Sequence, residues 1–98
     1  MIYHVTTKSQ WNEALSKGYF EVPSLQIEGF IHMSKENQVA GVLDRYYKNV
    51  TDLVLLHVEE NKLTAEIKLE LSPSINQEFP HIYGPINLDA VVKIEKLN

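Results

Sequence analysis

The segment DLVLLHVE, residues 52–59, constrains the fold more than any other part of this sequence because its middle is almost unbroken in apolar residues. A strand with one face in water alternates apolar and polar side chains, whereas a strand buried on both faces is a nearly continuous apolar run. The segment therefore predicts a central strand covered on both sides.

The N-terminal half predicts strands that alternate with helices. MIYHVT is a first strand, and Thr7 with Gln10 three residues later gives the capping-box spacing for the helix KSQWNEALSK, which Gly18 ends. SLQIE is one short helical turn. Residues 30–34 form a second strand, and Ser34 is expected to cap the helix KENQVAGVLDRYYKN. The apolar stripe of that helix comprises Val39, Val42, Leu43 and Tyr46.

The C-terminal half predicts strands. In AEIKLEL the residues Ala65, Ile67, Leu69 and Leu71 are expected to face inward, with Glu70 on the solvated face. FPHIYGPI holds two prolines and a glycine, which predicts a constrained turn or an edge segment. AVVKIEKL is the last strand.

With helices early and strands late, the order predicts an α+β fold: a small mixed or mostly antiparallel sheet with two helices. A length of 98 residues predicts one domain over residues 1–98.

Composition narrows the classes of function. Nine basic and 13 acidic residues include no stripe of Lys and Arg, which disfavours generic nucleic-acid binding but leaves room for a pocket that takes one nucleotide. There is no cysteine, no apolar run near the roughly 20 residues of a membrane helix, and no signal-peptide pattern at the start. A cytoplasmic protein without a membrane segment is the expectation.

Two histidines lie on short predicted strands and share a face with a hydroxyl residue. His4 lies with Thr6, and His32 lies with Ser34 and Phe30 in EGFIHMS. Each histidine alone is compatible with a structural role. If their strands are neighbours, both would line one cleft, whereas a purely structural account needs two separate buried polar sites.

FPHIYGPI adds His81 and Tyr83 on a stiff segment, where a preorganised binding wall and a turn that packs Phe79 and Ile82 into the core are both open. Three histidines also allow a catalytic zinc site, although no HxH, HxxxH or HExxH spacing is present and no metal is expected. His57 is interpreted as a core or edge residue, and Glu28 as a solvated turn residue.

IYHVTT, Trp11, SLQIEGFIHMS, Gln38, LVLLHVE, Glu70 and FPHIYGPI occur in this order, and together they resemble the bacterial and plant family called domain of unknown function nine-five-two. The resemblance covers nearly the whole chain, and GFIH-x-S followed by FPH-x-YGP is its most specific part.

That family is thought to be a minimal relative of the ADP-ribosyltransferase fold, whose split sheet forms a cleft for NAD. The subset that includes RNA 2′-phosphotransferases carries histidines on its first two strands. The resemblance implies that His4 hydrogen-bonds a ribose hydroxyl, that His32 faces the ribose or a phosphate, and that Tyr83 or Phe30 stacks on the nicotinamide. Glu70 is only a weak candidate for a role.

The leading hypothesis is a cleft that binds a nucleotide or an ADP-ribose-type ligand such as NAD, with transferase activity as its extension. His4 and His32 are its candidate catalytic residues, and the candidate ligand-binding residues are Thr6, Phe30, Ser34, His81 and Tyr83. A non-catalytic module that binds a small metabolite, and a metal-dependent enzyme, remain as alternatives.

Overall fold

A computed structural model describes all residues, 1–98, and has an α+β fold, as the sequence predicts. The strands are β1 Ile2–Thr7, β2 Tyr19–Phe20, β3 Ile31–His32, β4 Leu53–Val58, β5 Ile67–Ser72, β6 Gln77–Ile82, β7 Ile86–Asn87 and β8 Val91–Lys96. The helices are α1 Lys8–Lys17, α2 Ser24–Glu28 and α3 Val39–Tyr46, with short 3₁₀ turns at Glu36–Gln38, Glu60–Lys62 and Leu88–Ala90. The radius of gyration is 12.6 Å, close to the about 13 Å of a compact chain of this length.

The strands form three small antiparallel sheets rather than one. Their orders are β1-β4-β8, β3-β6-β5 and β2-β7. A single antiparallel bridge joins the two larger sheets, in which Tyr3 and Ser34 exchange backbone hydrogen bonds of 2.8 and 2.7 Å. The backbones of the two sheets are therefore hydrogen-bonded to each other only at this bridge and separate away from it.

Strand β4 is central and buried on both faces, which confirms the prediction from DLVLLHVE. Leu56 and Val58 face the larger core, which α1 and β2 cover with Trp11 and Phe20. Leu55, on the opposite face, belongs to the smaller core under α3. The unbroken apolar run is thus the result of two hydrophobic layers around one strand.

The beginning of α1 is as predicted, but the beginning of α3 is not. Thr7 Oγ1 accepts from the backbone N–H of Gln10 at 3.1 Å, and Gly18 ends the helix with a φ of +91°. Ser34 does not cap the next helix: its backbone is paired with β1, and the N-cap position is occupied by Lys35. The first turn starts after Lys35, whose N–H donates to the side chain of Gln38 at 2.9 Å.

Helix α3 is shorter than predicted and its apolar stripe differs at one position. Val39, Val42 and Leu43 pack on the smaller core, whereas Tyr46 is 65% exposed. Tyr47 takes that place and donates its hydroxyl to the carbonyl of Val5 at 3.3 Å.

The first half of FPHIYGPI is not an edge, because residues 79–82 belong to β6, the middle strand of its sheet. Residues 83–85 bend the chain from β6 into β7, so the predicted turn is present there. Pro80 is tolerated in the middle strand for a local reason. Its carbonyl accepts from Met33 N at 2.9 Å, so its missing N–H also lies on the β3 side. Strand β3 ends at His32, and the chain then turns to β1. The proline therefore interrupts no ladder, which also explains why β3 is shorter than residues 30–34.

The predicted orientation of AEIKLEL is wrong for its second half. Ala65 and Ile67 pack on the larger core, but Leu69 and Leu71 are 51% and 55% exposed. Strand β5 is an edge strand that runs past the core, so its apolar face is uncovered at that end. Glu70 is on the face that carries the histidines of β3 and β6.

The outer elements complete the fold. Strands β2 and β7 were not foreseen, because each has only two residues. Helix α2 is the short turn expected at SLQIE, and β8 is the expected last strand. None of the helices has the length and hydrophobicity that crossing a bilayer requires.

Candidate functional site

The split between the two larger sheets opens into a cleft of about 680 Å³. His4 of β1, His32 of β3, Ser34 and His81 of β6 all contribute to its lining. The apolar part of the lining includes Val5, Met33, Val42, Tyr46, Tyr47, Leu71 and Phe79. None of the 18 lining residues is Lys, Arg, Asp or Glu, so the polar part of the lining consists of imidazole, hydroxyl and amide groups.

The register of the strands brings the three histidines together. His32 is paired directly with His81 in the antiparallel ladder, and their ring centroids are 5.1 Å apart. His4 joins them across the split, because its Nδ1 lies 2.7 Å from the carbonyl oxygen of His32. The convergence that the sequence left open is therefore present.

His4 is held as a neutral ring in one tautomer. A carbonyl oxygen can only accept, so His4 Nδ1 carries the proton and donates to His32, which leaves Nε2 as the lone-pair nitrogen. Desolvation lowers the pKa of His4 from 6.5 to about 4, although the hydrogen bond to His32 opposes this change. The ring packs edge-on against Phe20, with centroids 5.4 Å apart.

His32 is fixed by the end of helix α2. Its Nε2 lies 2.6 Å from Oε2 of Glu28, and both side chains are about half exposed. A carboxylate acceptor places the proton on Nε2, so Nδ1 is the free nitrogen of the neutral ring. Gly29, with a φ of +89°, ends α2 and lets the chain turn from Glu28 into β3.

His81 is buried and has the most complete surroundings of the three. Its Nδ1 lies 2.8 Å from Oε1 of Glu70, and the ring of Phe30 stacks on it at 4.0 Å with an interplanar angle of 14°. The edge of His32 approaches the same ring. The orientation of His81 is therefore set by a carboxylate and two rings.

Tyr83 and Glu70 form a hydrogen bond that fixes the protonation of both. The Tyr83 hydroxyl donates to Oε1 of Glu70, the same oxygen that His81 contacts. The bond from Tyr83, and then that from His81, lowers the pKa of Glu70, while Glu70 raises the pKa of Tyr83 to about 12. Lys68 Nζ lies 4.8 Å from the centroid of the Tyr83 ring. Glu70 is thus a carboxylate and Tyr83 a phenol near neutral pH.

The two hydroxyl residues have different positions. Thr6 is buried behind the cleft, and its Oγ1 donates to the side chain of Gln10. Ser34 lines the cleft, and its Oγ has no hydrogen-bond partner within the chain. Phe30 and Tyr83 are not in the lining but lie immediately behind His81, in contact with each other. Of the seven predicted site residues, His4, His32, Ser34 and His81 share the cleft.

Glu28 and Glu70 are partners of the cleft histidines that the sequence did not predict. Both were expected to be solvated, and their side chains are indeed 45% and 38% exposed, but each also holds a histidine. A signal was present for Glu70, since it lies on the polar face of a strand next to a histidine-bearing segment. The register that pairs β5 with β6 was needed to use it.

Other polar clusters lie apart from this site. His57 Nε2 contacts Glu95 at 2.9 Å, and its ring packs against Tyr3, outside the cleft. A second cleft of about 490 Å³ runs along α1 and α2 and contains no histidine. No group of three or more His, Asp or Glu side chains is arranged to hold a metal ion.

Comparison with known proteins identifies the family. The family model described as "Protein of unknown function (DUF952)" matches residues 5–94, so the chain belongs to this family. The crystal structure of protein CC0527 from Caulobacter crescentus is similar, with 31% identity and a TM-score of 0.89 over 99% of this chain and 85% of that chain. Its solution NMR structure gives 31% identity and a TM-score of 0.84 over 99% of this chain and 84% of that one. No curated protein matches the chain.

Proposed function

We propose that the cleft binds a nucleoside-containing ligand of the NAD or ADP-ribose type, and that the three imidazoles recognise the hydroxyl groups of its ribose. The family match does not bear on the resemblance to the ADP-ribosyltransferase fold, which stays a prediction. The proposal is supported by the residues of the cleft themselves.

The observation that carries the proposal is the hydrogen bonding of the three histidines. Each ring has one nitrogen committed to an oxygen acceptor of the protein, so the other nitrogen of each neutral ring is an acceptor. Every fully buried side-chain nitrogen and oxygen has a partner, so the free nitrogens of His4 and His81, which have none, are not fully buried. His32 is itself exposed. The cleft therefore offers clustered acceptors to a ligand that brings donors, as the hydroxyls of a ribose do.

The remaining wall suits the other part of such a ligand. Val42, Leu71 and Phe79 are among the apolar residues available to cover a flat base or a nicotinamide ring. The volume is within the roughly 300–1,000 Å³ of small-molecule sites. Since no Lys or Arg lines the cleft, recognition is expected to depend on the sugar and the ring more than on phosphate charge.

Calorimetric titration with NAD and with ADP-ribose tests this function. Saturable binding is expected for the native protein and for His57→Ala, which removes a histidine outside the cleft. His4→Ala should weaken binding about tenfold or more, because a ribose hydroxyl loses its acceptor. The proposal would be contradicted if neither NAD nor ADP-ribose bound, or if His4→Ala bound them as tightly as the native protein.

The second candidate is a binding module without catalysis. It is favoured by one observation, that Glu28 and Glu70 are each bonded to a histidine and no carboxylate lines the cleft. Release of nicotinamide from NAD during incubation would identify a transferase or hydrolase. Saturable binding with no release would identify the binding module.

A further inference from the structure

The three histidines of the cleft differ in how firmly they are held. His32 is 55% exposed by side chain and bonded to a carboxylate that is itself 45% exposed. His81 has a side chain only 10% exposed, is bonded to Glu70 and is stacked on Phe30. A ring that is locked by packing and a hydrogen bond needs little reorganisation when a proton moves to it.

The surroundings of His4 and His81 also differ in charge. His4 donates to a neutral carbonyl group and packs against Phe20, with no carboxylate beside it. His81 donates to Glu70, a carboxylate that also accepts from Tyr83. A positive charge on His81 is therefore compensated within hydrogen-bond distance, whereas a positive charge on His4 is not.

We propose that Glu70 is a positioning residue that holds His81 with Nδ1 protonated and Nε2 free, and that this makes His81 the proton-accepting imidazole of the cleft. The acid–base part of this inference rests on the proposed function. The positioning part does not, because the tautomer of His81 is a property of the protein without ligand.

The proton transfer involves only the bound ligand and the hydrogen-bonded pair of His81 and Glu70. A hydroxyl of the bound ligand gives its proton to Nε2 of His81, and its oxygen keeps the electron pair. The ring becomes an imidazolium whose Nδ1–H still donates to Glu70, so the new positive charge faces an existing negative one. Tyr83 keeps its own proton, since its hydroxyl donates to the same carboxylate oxygen.

The tautomer can be read directly from ¹⁵N chemical shifts of the histidine side chains at alkaline pH, where the rings are neutral. The native protein should show His81 with a protonated Nδ1 and His32 with a protonated Nε2. Glu70→Ala should lose the Nδ1–H form of His81, because no acceptor then selects it. Tyr83→Phe should retain it, because Glu70 still accepts from His81.

The matched control is Glu78→Ala, which removes an exposed glutamate of β6 and should leave the tautomer unchanged. A native His81 protonated on Nε2, or a Glu70→Ala variant that keeps the Nδ1–H form, would overturn the positioning role. Where NAD is turned over, Glu70→Ala should lower kcat about a hundredfold with little change in KM. An unchanged kcat would overturn the acid–base role alone, and failure of NAD to bind at all would count against the proposed function while the tautomer result stands.

Discussion

The His4 imidazole should make the stability of the fold depend on pH between about 4 and 6.5. Burial lowers the pKa of His4 in the folded state, so the unfolded chain takes up a proton first as the pH falls. This contribution to stability is complete above pH 6.5 and is lost as the pH falls to about 4. At about 1.4 kcal/mol per pKa unit, and with the ring only half-buried, the loss is about 2–3 kcal/mol.

Urea unfolding of the native protein and of His4→Gln, at pH values from 7.5 down to 4, isolates this contribution. Glutamine keeps a donor for the carbonyl of His32 but does not titrate. Subtracting the free energy of unfolding of one protein from that of the other removes the pH dependence caused by the carboxylates that both contain. His57→Gln is the matched control for loss of an imidazole. The native protein should lose about 2–3 kcal/mol more than His4→Gln over this range. Parallel losses in the two proteins would refute the desolvated, neutral state of His4.

Three further outcomes follow from packing and hydrogen bonding. Phe20→Ala, in the larger core and fully buried, should cost about 3–5 kcal/mol in urea unfolding, and a cost below about 1 kcal/mol would be inconsistent with that position. Gly84→Ala brings a new Cβ to 2.9 Å from Cβ of Ala65 and should cost about 1–3 kcal/mol, with recovery when Ala65→Gly is added. No recovery would locate the strain elsewhere. Glu70→Ala should lower the pKa of Tyr83 from about 12 toward 10, measured on the resonances of the Tyr83 ring, and an unchanged pKa would disprove their hydrogen bond.

Local chemistry was enough to predict the elements whose signals are strong. The apolar run of β4 predicted its central position, and Thr7 with Gly18 predicted both ends of α1. These features could be predicted because a cap or a doubly buried strand depends on residues that are close together in the sequence.

The remaining errors concern pairing between distant segments. Leu71 alternates like a core residue, but nothing covers the end of the edge strand β5. Pro80 indicated an edge, yet it fits in a middle strand because β3 ends beside it. Propensity describes a residue's own backbone, and neither case could be decided without knowing the neighbouring strand.

The candidate site shows the same division. The histidines could be selected because polar residues on short apolar strands need partners, but the partners themselves could not be predicted. Glu70 contacts His81 only because β5 pairs with β6, and Glu28 reaches His32 only through the turn at Gly29.

A shared ribose-binding cleft is tested most directly by an NMR titration of the native protein with NAD and with ADP-ribose, in which the side-chain resonances of all four histidines are followed. The resonances of His4, His32 and His81 should shift together along one saturation curve while those of His57 do not move. No shift with either ligand, or shifts of His57 equal to those of the other three, would contradict a shared ribose-binding cleft.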